Sequence, residues 1–458
     1  MILIYAEEIT PRVEYITKLI FTQILKVEIA LTTNSAEFIR SELPKFNYSF
    51  EKFGNEFYIK PHWLIFKRSL NTPNINPVWY EGQKYFCESS KDSILPFDPL
   101  AASFYVVTRH EEYTEKRRDK LGRYSAQHSI LTRYNLLHKP VVNIWAKLLA
   151  TKLKEFYPDL HFPETHFQFI STIDVDNAWA YLHKGFWRTT AAFAKSLFRD
   201  IKEFNERKSV ILRKTPDPYD TYTYLNRIFK GNEEKVRFFF LLADYARFDK
   251  NIAHQNKHYR KLIKRISRKY SVGIHPSFAS SKKGGRKKTT QERARLEEII
   301  GHVITASRQH FLRLKLPKSY RRLIKSGITT DYTMGYAAKL GFRAGICTPH
   351  YFYDLERETQ TNLLIIPFQM MDGTLKHYLK LSPDEAFEET RKIMEEVKNV
   401  GGTFVSIWHN ETVNDQGHWA GYRQVFEQTH NLAFEWANQT INKEEALNET
   451  TVELHKTP

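Results

Sequence analysis

From about residue 160 onward, short apolar runs alternate with amphipathic stretches of helical period, and this alternation limits the fold more than any other feature. The apolar runs cover 166–173, 236–242, 272–274, 342–346, 363–366 and 403–408. Helical patterns lie between them at 221–229, 291–306 and 384–400. The last carries its own start and stop signals: Ser382 as N-cap, Pro383 at N1, Glu385 at N3, and Gly401-Gly402 beyond the end. Strands that alternate with helices are joined by crossovers and run parallel, so the expected class is α/β, a barrel or a doubly wound sheet. In both, catalytic groups gather at the carboxyl ends of strands, where loops converge on one face.

The first 160 residues differ in character. MILIYA reads as a buried strand leading into a helix, and Val141–Phe156 as a long amphipathic helix punctuated by Pro158 and Pro163. Between them lie short strand and helix candidates, a loop at 71–77 and the segment ILPFDPLAASFYVVTRHEEY at 94–113. A chain of 458 residues is too long for one ordinary core. The expected organisation is a smaller N-terminal α/β domain at 1–160, a larger α/β domain at 161–440 and a polar C-terminal tail at 441–458.

The net charge of +17 raises the question of an anionic partner. Much of it falls in two runs. In 257–269, Leu262, Ile263 and Ile266 recur at helical spacing, so the charges read as the solvated face of a helix. The run 282–288, KKGGRKK, has no apolar residue and reads as a mobile loop. No zinc finger, RNA-recognition signature or helix-turn-helix accompanies them, so nucleic acid is not an expected partner. No apolar stretch of about 18 residues is present, and no membrane span is expected. The start lacks the basic, apolar and small-residue order of a signal peptide, which points to the cytoplasm. Cys87 and Cys347 are too few for a disulfide framework or a cysteine zinc site and read as buried small hydrophobes.

The ends of the apolar runs carry ionisable residues. HFQFISTIDVD puts Asp174 and Asp176 on one face of a strand end, because side chains alternate with period two. Neighbouring carboxylates repel unless a cation lies between them or one takes a proton. A metal ligand beside a general base would use that arrangement; a helix N-cap followed by a surface aspartate is the plainer use. His275 follows 272–274 and could ligate a metal through one ring nitrogen while the other is fixed by an acceptor, although a lone strand-end histidine is more often structural. His409 follows 403–408 beside Asn410 and Glu411, where a carboxylate can hold an imidazole cationic and ready to protonate a leaving group. SRQHFLR adds Arg308 and His310.

STIDVD, GIHPSF, RQHFL and SIWHNE, in that order, resemble the motif series of the polysaccharide deacetylase family (the NodB-homology domain, carbohydrate esterase family 4). The resemblance covers about 160–440 and is closer to a bacterial subgroup, on wording at 241–251, 273–277, 308–312, 331–337, 341–345 and 371–375. Residues 1–160 resemble the N-terminal domain of unknown function that precedes such barrels. The resemblance implies a distorted (β/α) barrel that removes N- or O-linked acetyl groups from a glycan or sugar precursor with one divalent metal, zinc, cobalt or nickel, and no organic cofactor. It implies Asp174 as the base, Asp176 and His275 as metal ligands, His409 as the acid and Arg308 as the residue that orients the base. Two departures stand out: Val175 occupies the place of the family's second aspartate, and Ala279 that of its second histidine. His310 is the replacement ligand this chain offers.

Other residues have weaker readings. Asp331 and Arg343 are expected as a buried pair bracing the site, and Asp244 as a substrate contact or a support to a ligand. Trp179, Trp408 and Trp419 could stack on sugar rings, with core packing the plainer use of Trp408. His254, His350, His377 and His418 read as ordinary loop histidines. The leading expectation is a deacetylase acting on an acetylated carbohydrate. The alternative is a degenerate barrel that binds a carbohydrate or anionic ligand without turnover, and a third, weaker one is a polyanion-binding module acting through 282–288.

Overall fold

A computed structural model describes residues 1–454 apart from 69, 71–74, 186–188, 191–192, 194–195, 197–199 and 283, with the backbone alone described for 440–454. The loop expected at 71–77 therefore falls in part outside the described residues. Strands β1 (Ile2–Tyr5), β2 (Ile29–Thr32), β3 (Lys45–Asn47) and β4 (Phe57–Tyr58) form a parallel sheet in the order β2-β1-β3-β4. A hairpin of β5 (Val78–Tyr80) and β6 (Gln83–Tyr85) follows.

The larger sheet is built from β7 (Gln168–Val175), β8 (Val236–Phe240), β9 (Ser271–Ile274), β10 (Ala306–Ser307), β11 (Thr330–Asp331), β12 (His350–Asp354), β13 (Thr359–Ile365), β14 (Met370–Met371) and β15 (Thr403–His409). Its order is β12-β13-β11-β10-β9-β8-β7-β15-β14. Every pairing is parallel except β12 with β13, and the sheet curls as an open half-barrel, so the chain has the expected α/β class. β7 and β15 lie side by side near the β14 edge, and both bury nearly their whole length. Strands buried on both faces need continuous Ile, Val and Phe rather than strict alternation.

Helices close the outer face. Pro383–Asn399 starts on a complete capping box, Ser382 with Glu385, as its sequence signals require. Lys257–Ser267 buries Tyr259, Leu262, Ile263 and Ile266 and turns its cations outward. The helix expected at 291–306 instead runs Gly285–Ile300, because Gly301 takes a left-handed conformation (φ +84°) and ends it. The second half of the 282–288 run is thus helix rather than loop. Tyr422–Leu454 crosses the boundary placed at 440, so 441–454 continue a helix. No helix among the described residues is long and apolar enough to cross a membrane.

The apolar run 342–346 is not a strand. Gly341 (φ +110°) and Gly345 (φ +64°) bend it, and a side chain at Gly345 would meet Val141, Val106 and Leu131. Its apolar residues are buried against the N-terminal part, not in the sheet. One hydrophobic cluster extends from Ile2 to Ala437, so the first 160 residues pack on the rest of the chain. Val141–Phe156 contributes Trp145, Leu149 and Leu153 to that cluster, each fully buried large side chain contributing about 1.5–3 kcal/mol.

Candidate functional site

Strand order explains which side chains meet. β10, β9, β7, β15 and β14 lie near one another in the sheet, and their carboxyl ends deliver Arg308 and His310, His275, Asp174 and Asp176, His409, and Asp372 to one edge. The β7–β15 register sets His409 directly beside Asp174.

Asp176, His275 and His310 form a cluster whose ligand atoms all lie within 4.8 Å of one another. His275 Nε2 is 3.3 Å from Asp176 Oδ1, and His310 Nε2 is 3.2 Å from Asp176 Oδ2. Both rings are fixed from behind: Nδ1 of His275 donates to the Arg308 carbonyl at 2.6 Å, and Nδ1 of His310 bonds Asp249 at 3.0 Å. Each ring therefore turns Nε2 toward Asp176, the pattern by which histidine ligands are oriented. Asp249 is itself held by the backbone N–H groups of Phe278 and Ala279. Phe311 (φ +58°) and Leu312 (φ +54°) are left-handed non-glycine residues directly after His310, backbone strain of the kind that collects at functional sites.

The electrostatics of the cluster favour a positive charge at its centre. Burial pushes the Asp176 carboxyl up, but His310 and His275 outweigh it and hold the group well below its ordinary value. For His310 burial opposes the charge, yet Asp176 and Asp249 raise its pKa to about 9. The oxygens Asp174 Oδ1 and Asp176 Oδ1 are buried without a hydrogen-bond partner. Two oriented imidazoles, one carboxylate and orphaned carboxylate oxygens suit a divalent cation.

Asp174 is 2 % exposed, with Oδ2 3.9 Å from His275 Nε2 and Oδ1 3.7 Å from the Arg308 guanidinium. Arg308 is fully buried among Phe239, Tyr332 and Phe368, and none of its side-chain nitrogens has a hydrogen-bond partner. Burial lowers its pKa, while Asp174 and Asp331 pull it back up. Across the pocket, His409 Nδ1 lies 2.9 Å from Asp372 Oδ1, and the His409 backbone N–H donates to Asp372 Oδ2 at 2.7 Å. Burial disfavours the imidazolium, but Asp372, with Asp176 and Asp174 beyond it, raises the His409 pKa well above its ordinary value. Glu411 shares the pocket, its pKa pushed up to about 7 by burial, with His409 opposing.

These groups line a cavity of about 250 Å³ together with Phe311, Tyr378, His377 and Trp419. A larger cavity of about 860 Å³ sits at the opposite, amino-terminal ends of β7 and β15 and holds none of the cluster.

Asp174, Asp176, His275, His310, His409 and Glu411 line this pocket, with Arg308 directly beneath Asp174. Two other expectations change, and Trp408 takes its plainer use. Arg343 does not pair with Asp331; it binds Glu112 through two hydrogen bonds of 2.6 and 2.9 Å, because the bent 342–346 segment faces the N-terminal part. Asp331 instead accepts from Ser307 and Thr333 under Arg308. Asp244 has a 61 % exposed side chain and pairs with Arg295 outside the pocket. Trp408, one residue before His409 and so on the other face of β15, is core against Phe426.

Two of the loop histidines also change: His377 lines the pocket and stacks with His418, while His350 is buried in β12. Trp179 is buried beside His183, and Trp419 lines the pocket. Asp372 and Asp249 were missed. Asp372 follows Met370-Met371, an apolar pair too short to mark a strand end in the sequence.

The family model for a "Family of unknown function (DUF7033)" matches residues 2–158. No curated protein matches the sequence. Among solved structures, a probable polysaccharide deacetylase from Pseudomonas aeruginosa PAO1 is 10% identical, with 59% of this chain and 86% of that chain covered and a TM-score of 0.39. A polysaccharide deacetylase from Bacillus cereus is 13% identical, with coverage of 58% and 86% and a TM-score of 0.29. The PuuE allantoinase is 9% identical, with coverage of 59% and 85% and a TM-score of 0.38. Identities this low say nothing of chemistry.

Proposed function

We propose that this chain is a metal-dependent hydrolase that removes N- or O-linked acetyl groups from a carbohydrate. The observation that carries the reading is the Asp176–His275–His310 cluster, with Asp174 beside it and the His409–Asp372 pair across the same pocket. Zinc, cobalt or nickel bound there would polarise an acyl carbonyl and make a water acidic enough to attack it.

The chain's own residues supply the remaining chemistry. Asp174, beside the Arg308 guanidinium, takes the proton of the attacking water. His409, kept cationic by Asp372, donates its proton to the departing amine or alkoxide. Asp176, His275 and His310 hold the cation, and Asp249 and the Arg308 carbonyl fix the two rings. His310 thereby takes the part of the histidine absent at Ala279. Burial of Asp174, His275 and His310 strengthens the charges among them.

Two measurements test this reading. Elemental analysis of the purified chain is expected to find close to one divalent metal, lost in His275→Ala. Acetate release from acetylated sugars is expected to fall by at least about 100-fold in Asp174→Asn with the fold retained. A chain that binds no zinc, cobalt or nickel, yet still binds a sugar, would be the degenerate binding barrel instead.

A further inference from the structure

The pocket is not closed by the large sheet alone. Arg123 lines it from the N-terminal part of the chain, next to Tyr378 and Phe311. A tight turn holds it there. Asp119 Oδ1 accepts from the backbone N–H groups of Leu121 and Arg123, and Asp119 Oδ2 accepts from Arg123 Nε at 2.7 Å. Gly122 permits the turn with φ +80°, and a Cβ there would stand 2.8 Å from the Arg313 guanidinium.

The guanidinium has donors to spare. Nη2 donates to the Tyr378 hydroxyl at 2.9 Å, and Nη1 reaches the Phe311 carbonyl at 3.5 Å. With the Nε bond, these use three of its five N–H groups and leave one on each terminal nitrogen. That pair suits the two oxygens of a carboxylate or phosphate. Asp119 is about a third exposed, so solvent screens its charge, whereas Arg123 is mostly covered.

Arg123 is also alone in kind. Among the described lining residues it is the one lysine or arginine, while Asp174, Asp176, Asp372 and Glu411 bring carboxylates. Those carboxylates are engaged by the His275–His310 cluster, Arg308 and His409, so Arg123 is the cation of this lining with N–H donors left for an anionic substituent. The net charge of +17 would raise the local concentration of such a substrate.

We propose that Arg123, positioned by Asp119 and Tyr378, binds a carboxylate or phosphate on the substrate, so that the preferred substrate is an acetylated sugar carrying a negative group. Residues 119–123 then complete the pocket, which gives this part of the N-terminal region a task in recognition. The proposal rests on the deacetylase reading of the same pocket.

Calorimetric titration of the intact chain with N-acetylglucosamine, its 6-phosphate and its uronic acid tests it. The wild type is expected to bind at least one charged sugar about tenfold or more tightly than the neutral one, the worth of a paired charge-assisted contact. Arg123→Gln should bring that ratio close to one, and Arg123→Lys should keep part of it. Which charged sugar is preferred tells phosphate from carboxylate. Equal affinities in the wild type, no binding of either charged sugar, or a preference that survives Arg123→Gln would each overturn the proposal. Acetate release measured in parallel separates the two readings. Turnover without charge preference removes the anion site alone, and charge preference without turnover removes the deacetylase reading while the anion site stands.

Discussion

Asp249 accepts a hydrogen bond from Nδ1 of His310 at 3.0 Å and so turns the other nitrogen of that ring toward Asp176. A carboxylate behind a histidine ligand fixes its tautomer and raises its basicity. Asp249→Asn keeps an oxygen for the Phe278 N–H but removes the charge. Zinc affinity, measured by competition with a chelator, is expected to fall by about 10- to 100-fold. An unchanged affinity, with the fold intact by circular dichroism, would leave Asp249 a loop brace and nothing more.

His409 and Asp372 make a prediction about pH. Asp372 raises the His409 pKa, so the imidazolium persists to higher pH than in a free histidine, and activity that needs this acid declines as pH rises through the raised value. Asp372→Asn removes the anion, and the folded pKa should drop. The alkaline limb of the pH–rate profile is expected to move to lower pH by at least about one unit, which is roughly 1.4 kcal/mol of differential interaction. A limb that stays in place would take His409 out of the acid role.

How far the sequence revealed this site depends on how local each signal is. β7, β8 and β15 are legible because several apolar residues precede their polar ends, and Asp174, Asp176 and His409 follow from them. β10, β11 and β14 are two residues long, too short for any period to register. Asp372 was lost with β14 for that reason. The run 342–346 misled because apolar content reports burial, not conformation, and two glycines with positive φ settle the conformation. Arg123 and the Glu112–Arg343 pair depend on contacts between residues more than 200 positions apart, which no local pattern encodes.

Glu112 and Arg343 carry a stability prediction. Both are buried, and Arg109 adds a second cation to the same carboxylate, which holds the Glu112 pKa at about 2 against the effect of burial. Glu112→Gln would strand the Arg343 guanidinium away from water, while Arg109 keeps its pairing with Glu111. The expected cost is about 3–5 kcal/mol in urea unfolding. Replacing both partners, Glu112→Met with Arg343→Met, should cost less than the single change, because no charge is left unpaired. A single variant as stable as wild type would show that the pair is dispensable.

His430 carries the last prediction. Its Nδ1–H donates to the Phe426 carbonyl at 2.8 Å, and its Nε2 accepts from the Ser171 hydroxyl at 2.7 Å, so the buried ring is held neutral. Burial lowers its pKa to about 3, with the Phe426 bond opposing. An unfolded histidine titrates near 6.5, so on acidification the unfolded chain takes up this proton first. The contribution is fully present above about pH 6.5 and is lost toward pH 3, at up to about 1.4 kcal/mol per pH unit. Glutamine does not titrate there and can offer both a donor and an acceptor. Melting temperatures of wild type and His430→Gln, taken every half unit from pH 7.5 to 4.5, should therefore converge as pH falls, wild type losing more. Parallel curves would mean that the ring admits a proton without unfolding, and the claim of a sealed neutral histidine under β7 would be wrong.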